Sequence, residues 1–142
     1  MGFEATASIP IPFPISGFVL QGAVQAWDDD LAYLPKRLWD GALAYHGIFK
    51  ESRNLELWGG LGVTSRDLMP IGILEPGGAT VPDLIVVPRS EEWYINIQVR
   101  IVTLNLFIRW ENIRGKSDNV DFPDRQQPRF RTIYGIRWVM NN

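Results

Sequence analysis

Few side chains in this sequence could do chemistry, and they lie far apart. Asp28, Asp29 and Asp30 place three carboxylates in a row, and a hard cation such as calcium needs several oxygens of this kind. The same run reads far more readily as a solvated turn closing an alternating segment, and that reading is preferred. His46 is the only histidine and cysteine is absent, so neither a zinc site nor a thiol dyad has a second ligand. Ser65 and Ser90 have no base at a recognisable spacing, and no glycine-rich loop precedes a helix to cradle phosphate. The expectation is a protein without a catalytic constellation, metal or cofactor, and not an enzyme.

The remaining polar groups that stand out are the arginines Arg66, Arg100, Arg109, Arg131 and Arg137. Each falls on the polar side of a segment that alternates with period two, the signature of a strand rather than a helix. The last such segment places Phe130, Thr132, Tyr134, Ile136, Trp138 and Met140 on one side. Arg129, Arg131, Ile133, Gly135, Arg137 and Val139 fall on the other. The segment before it sets Val102, Leu104, Leu106, Ile108 and Trp110 against Thr103, Asn105, Phe107, Arg109 and Glu111. Strands this two-sided face two different surroundings. The arginines are then either lumen lining or the solvated face of a half-exposed sheet. Trp27, Trp39, Trp93, Trp110 and Trp138 fall near strand ends, where amphipathic rings suit a membrane interface or pack across strands.

Composition narrows the classes. The chain has 142 residues, 46% hydrophobic and 12% aromatic, which excludes wholesale disorder and allows one domain. Its 10 prolines and 13 glycines punctuate it into short segments. A net charge of −2 offers no basic field, and the arginines are spread along strands, so nucleic acid is not an expected partner. No apolar run reaches the roughly 18 residues of a membrane helix. Residues 1–16 have no basic region followed by an apolar one, so no signal peptide is read there.

Strands are expected over 3–11, 18–27, 38–49, 55–69, 93–101, 102–111 and 130–140, with LIVV at 84–87 as a short strand inside a long loop. The apolar phase switches from odd to even positions at Ile101 and Val102, which requires a tight turn near Val102 and Thr103. Connections alternate in length: short at 12–17, 50–54 and 101–103, long at 28–37, 70–92 and 112–129. Short turns on one side and long loops on the other mark an up-and-down barrel crossing an outer membrane. The expected fold is therefore all-β, an antiparallel meander of about 7–8 strands, spanning 1–142 as a single barrel or barrel segment. An odd count of seven departs from the even number of bacterial single-chain barrels, so a segment of a larger wall is expected.

The segment from Leu106 onward resembles the C-terminal end of TonB-dependent outer-membrane receptors. It carries RWENI at 109–113, a polar, proline-containing loop, and a last strand with Arg131, Tyr134, Gly135, Arg137 and Trp138. The resemblance implies a transporter barrel of about 22 strands, located in the bacterial outer membrane. Outer-membrane lipid, further barrel strands or a plug are the implied partners, together with an unspecified ligand. It departs from the family in continuing past Trp138 to Asn142 and in lacking a plug and an energy-coupling box. Two other readings stay open on the residues alone: a soluble antiparallel barrel or sandwich that binds a ligand, with LIVV as an eighth strand, and a small complete barrel of structural role.

Overall fold

The computed structural model describes residues 1–12, 16–28, 32–49, 51–73, 83–122 and 125–138. The described residues contain strands and no helix. Seven strands form one antiparallel sheet in which every strand lies beside its sequence neighbours: β1 (Gly2–Pro10), β2 (Phe18–Trp27), β3 (Arg37–Phe49), β4 (Leu55–Arg66), β7 (Ser90–Ile101), β8 (Leu104–Glu111) and β11 (Arg131–Trp138). Two small hairpins stand apart from it, β5 (Met69–Ile73) with β6 (Asp83–Val87), and β9 (Val120–Phe122) with β10 (Arg125–Gln126). The all-β meander expected from the alternation is the observed fold. Among the described residues β1 pairs only with β2, and β11 only with β8, so the sheet is open at both edges.

The strands form because each alternates apolar and polar side chains with β-branched and aromatic residues prominent. They end where partners run out. β4 pairs with β3 as far as Leu38 opposite Arg66, and the amide of Asp67 then donates to the Arg37 carbonyl at 2.9 Å. Beyond Arg37 the chain passes through buried Pro35, so nothing continues the ladder. The strand expected over 55–69 therefore stops at Arg66. The chain pairs with its own return instead, Ile71 opposite Ile85 and Met69 opposite Val87. The LIVV segment accordingly belongs to a separate hairpin and adds no eighth strand to the sheet, and the long loop expected over 70–92 is largely this hairpin. In the same way the loop over 112–129 holds β9 and β10.

Between β7 and β8 the turn is two residues, Val102 and Thr103, as the phase switch requires. Val102 has φ 55°, the positive value that a two-residue hairpin demands and that a β-branched residue adopts only under strain. Its amide donates to the Asn54 carbonyl at 2.8 Å, and the Trp138 indole donates to the Thr103 hydroxyl at 3.2 Å. Both contacts hold the turn against its neighbours. The expected turn at 12–17 and loop at 28–37 fall partly outside the described residues, as do Asp29, Asp30, Lys50, residues 74–82 and the segment past Trp138.

The long connections lie at one end of the sheet and the short turns at the other. The buried hydrophobic residues among those described are Ile71 and Val87, both in the β5–β6 hairpin at the long-loop end. There Tyr33 donates its amide to the Pro70 carbonyl at 2.7 Å and its hydroxyl to the Gly72 carbonyl at 2.8 Å, and β6 lies beside β9. Among the described residues the seven-stranded sheet itself encloses no apolar core.

Candidate functional site

Residues directly opposite in an antiparallel pair share a face, so the register assigns every side chain of the sheet. One face runs through Ala5, Val24, Leu43, Leu61, Ile95, Ile108 and Ile136. It stays apolar from strand to strand, and nothing among the described residues covers it. Leu43, Leu61 and Ile136 expose 39%, 42% and 72% of their surface, far above what a packed core leaves. This apolar face is bounded by aromatic rings at both ends. Trp39, Trp93 and Trp110 lie toward the long loops. Phe18, Tyr45, Phe49 and Trp138 lie toward the short turns. The ring of Phe18 meets that of Tyr45 at 4.9 Å. Along β3, Trp39 to Phe49 at about 3.3 Å per residue and a tilt of about 40° spans roughly 25 Å. Trp27 sits apart, on the opposite face and level with Gly2.

The other face carries all five candidate arginines, and two separate networks hold three of them. In the first, Glu111 accepts from Arg109 Nε at 2.8 Å and from Arg131. The Arg109 guanidinium lies 4.2 Å over the ring of Tyr94. The Tyr94 hydroxyl donates to Asp40 Oδ2 at 3.2 Å, and that oxygen also accepts from the Thr64 hydroxyl at 2.8 Å. The network crosses β3, β4, β7, β8 and β11. It depends on Gly62, where an added Cβ would lie 2.3 Å from Tyr94 Cζ, so the ring can lie across β4 only over a glycine. Burial raises the cost of leaving any member unpaired, and the Glu111 carboxylate has two cations to meet it.

The second network lies nearer the short turns. Arg100 donates to Glu56 Oε1, and His46 Nε2 lies 3.8 Å from Glu56 Oε2. The His46 imidazole stacks on Trp58 at 5.0 Å and 4°, with the Arg100 guanidinium 5.9 Å from the same indole. Arg66 reaches into the loop layer and donates to the Val120 carbonyl at 2.8 Å. Arg137 stands opposite Asn105 at the far end of the face. No protein-family model, curated protein or solved structure matches this chain.

The structure thus brings the arginines to one surface without gathering them into one pocket. Ser65 falls on the apolar face opposite Trp39, Ser90 on the polar face opposite Arg66, and His46 near the other end of the sheet, so these three residues do not meet. Asp28 is exposed just past β2. Asp40, Glu56, Tyr94 and Glu111, the partners of the arginines and of each other, were not singled out by sequence. Their parity placed them on the arginine face, but the pairing of Asp40 with Tyr94, 54 residues apart, needs the register. The arrangement can separate an apolar surrounding from a polar one and hold itself rigid by ion pairs on the polar side.

Proposed function

We propose that this chain forms part of the wall of an outer-membrane β-barrel of the TonB-dependent receptor type, its long loops outside the cell and its short turns in the periplasm. The observation that carries the reading is the uncovered apolar face between two rows of aromatic rings. Covering apolar surface is worth about 25 cal/mol per Å², and a contiguous patch spanning seven strands calls for a partner. Lipid hydrocarbon is the partner that fits a band roughly 25 Å tall with aromatic rings at both borders. The opposite face suits a polar interior, with the arginine and carboxylate networks lining it. The two open edges leave room for further strands, as a wall of about 22 requires.

The receptor type is supported by the resemblance of β8, its following loop and β11 to the end of that family's barrels. On this reading the function is uptake: the wall supplies the passage, and the β5–β6 and β9–β10 hairpins stand where a ligand would first be met. The test is fractionation of cells making the protein, followed by detergent partition. Recovery in the outer membrane is expected, with strand circular dichroism only in detergent or vesicles. A monomer that unfolds cooperatively in plain buffer overturns the proposal.

A further inference from the structure

The apolar face continues one rung past its aromatic row at the long-loop end, and there it turns cationic. Arg37 stands two residues before Trp39 on β3 and so shares its side. Asp67 lies across from Arg37, and Arg89 precedes β7 in the next strand position. The Asp67 carboxylate is 2.7 Å from Arg37 Nε and 3.9 Å from Arg89 Nε. The two arginine side chains are 72% and 63% exposed, so one carboxylate is shared by two guanidiniums that still face outward. With Lys36 they line a groove of about 770 Å³, whose apolar part is Leu68, Pro70 and Val86. Further along the same rim Glu91 meets Arg114 at 3.1 Å and Lys116 at 3.5 Å, and the Arg114 guanidinium lies 5.7 Å over the Trp93 ring. Four cations thus meet two carboxylates immediately beyond Trp39 and Trp93, and Lys36 lines the groove beside them.

Building on the wall reading above, we propose that this groove binds the phosphate of an anionic lipid headgroup in the leaflet on the long-loop side. The guanidinium fork matches phosphate oxygens. The exposed guanidiniums of Arg37 and Arg89 sit at headgroup height, one rung beyond the aromatic row. Leu68 and Val86, 56% and 55% exposed, offer a floor that a lipid's glycerol and first methylenes can use and a free anion cannot. The acyl chains then run down the apolar face past Trp39.

The test folds the full chain into vesicles of phosphatidylcholine, alone or with phosphatidic acid, and reads retained lipid by native mass spectrometry after gentle release. One retained phosphatidic acid is expected. The Arg37→Gln/Arg89→Gln variant should weaken retention about 25-fold and Lys36→Gln about fivefold, at roughly fivefold per cation. Arg53→Gln, in the short turn at the opposite end, should leave retention unchanged. Strand circular dichroism of each variant establishes that it is folded, and Lys36→Gln leaves the Asp67 pair in place. Equal retention by parent and double variant overturns the proposal, and so does displacement of the lipid by millimolar inorganic phosphate, which assigns the groove to a free anion. Insertion into phosphatidylcholine alone is read separately by protease protection. Failure there brings down the wall reading itself, whereas insertion without selectivity brings down only the lipid site.

Discussion

At the scale of single residues, two positions hold the sheet to its shape by opposite means. Gly62 leaves room for Tyr94 to lie across β4 and reach Asp40. Gly62→Ala should therefore displace the ring, break the Tyr94–Asp40 hydrogen bond and cost about 2 kcal/mol, measured by urea titration in vesicles with tryptophan fluorescence. Val102 is strained where Gly62 is accommodating: its φ of 55° suits glycine. Val102→Gly should raise stability by about 1 kcal/mol in the same titration; a loss would mean that the 60%-exposed Val102 side chain makes a contact outweighing the strain. The tight turn was legible from the phase switch alone. The strain was not, because a turn without glycine or asparagine carries no local mark of its φ. The five arginines were legible as one face, since parity is read along each strand. Their partners were not, since Glu56 with Arg100 and Asp40 with Tyr94 depend on which rung meets which.

At the scale of elements, the large strands were read to within a few residues because eight to 13 residues of alternation leave little freedom in the assignment. β5 and β6 are five residues each, with sequences MPIGI and DLIVV. MPIGI alternates for only five residues and through a proline, and DLIVV does not alternate, so their pairing was hidden until the end of β3 removed any other partner for them. β9 and β10, at three and two residues, fall below the length at which a period exists. The two faces of the sheet make contrasting predictions. Leu61→Arg puts a charge in the middle of the apolar band and should cost about 2–4 kcal/mol in vesicles. Gln98→Arg, on the polar face of β7, should change stability by less than about 0.5 kcal/mol. Similar costs for both would mean that the two faces meet the same surroundings. Glu111→Gln tests the polar network: its side chain is 10% exposed and faces Arg109 and Arg131, so losing the charge should cost about 2 kcal/mol, with the arginines' own exposure limiting the loss.

At the scale of the molecule, direction decides what can complete the sheet. In a meander of seven antiparallel strands the first and last run the same way, so β1 and β11 are parallel to each other. Joining them directly would need a parallel pair, whereas an odd number of further strands closes the wall with antiparallel pairs throughout. Cysteines placed one at a time along β1 and β11 should therefore form no disulfide with each other in the native membrane; efficient cross-linking would mark a small barrel closed on itself. The odd count was legible in the sequence. That both edges stand open and that the apolar face lies uncovered depended on three-dimensional pairing, because an apolar side reads the same in a sequence whether a core or lipid covers it.

If the apolar face meets hydrocarbon while the arginine face meets water, the absence of cysteine makes the difference directly measurable. Single cysteines replacing Leu61, Ile95, Asn96 and Gln98 would carry spin labels in vesicle-inserted protein, read by their relaxation with oxygen and with a water-soluble nickel complex. Oxygen-dominated relaxation is expected at 61 and 95 and nickel-dominated relaxation at 96 and 98. Nickel access at all four positions, or the reverse pattern, would mean that the two faces do not divide lipid from water in this way.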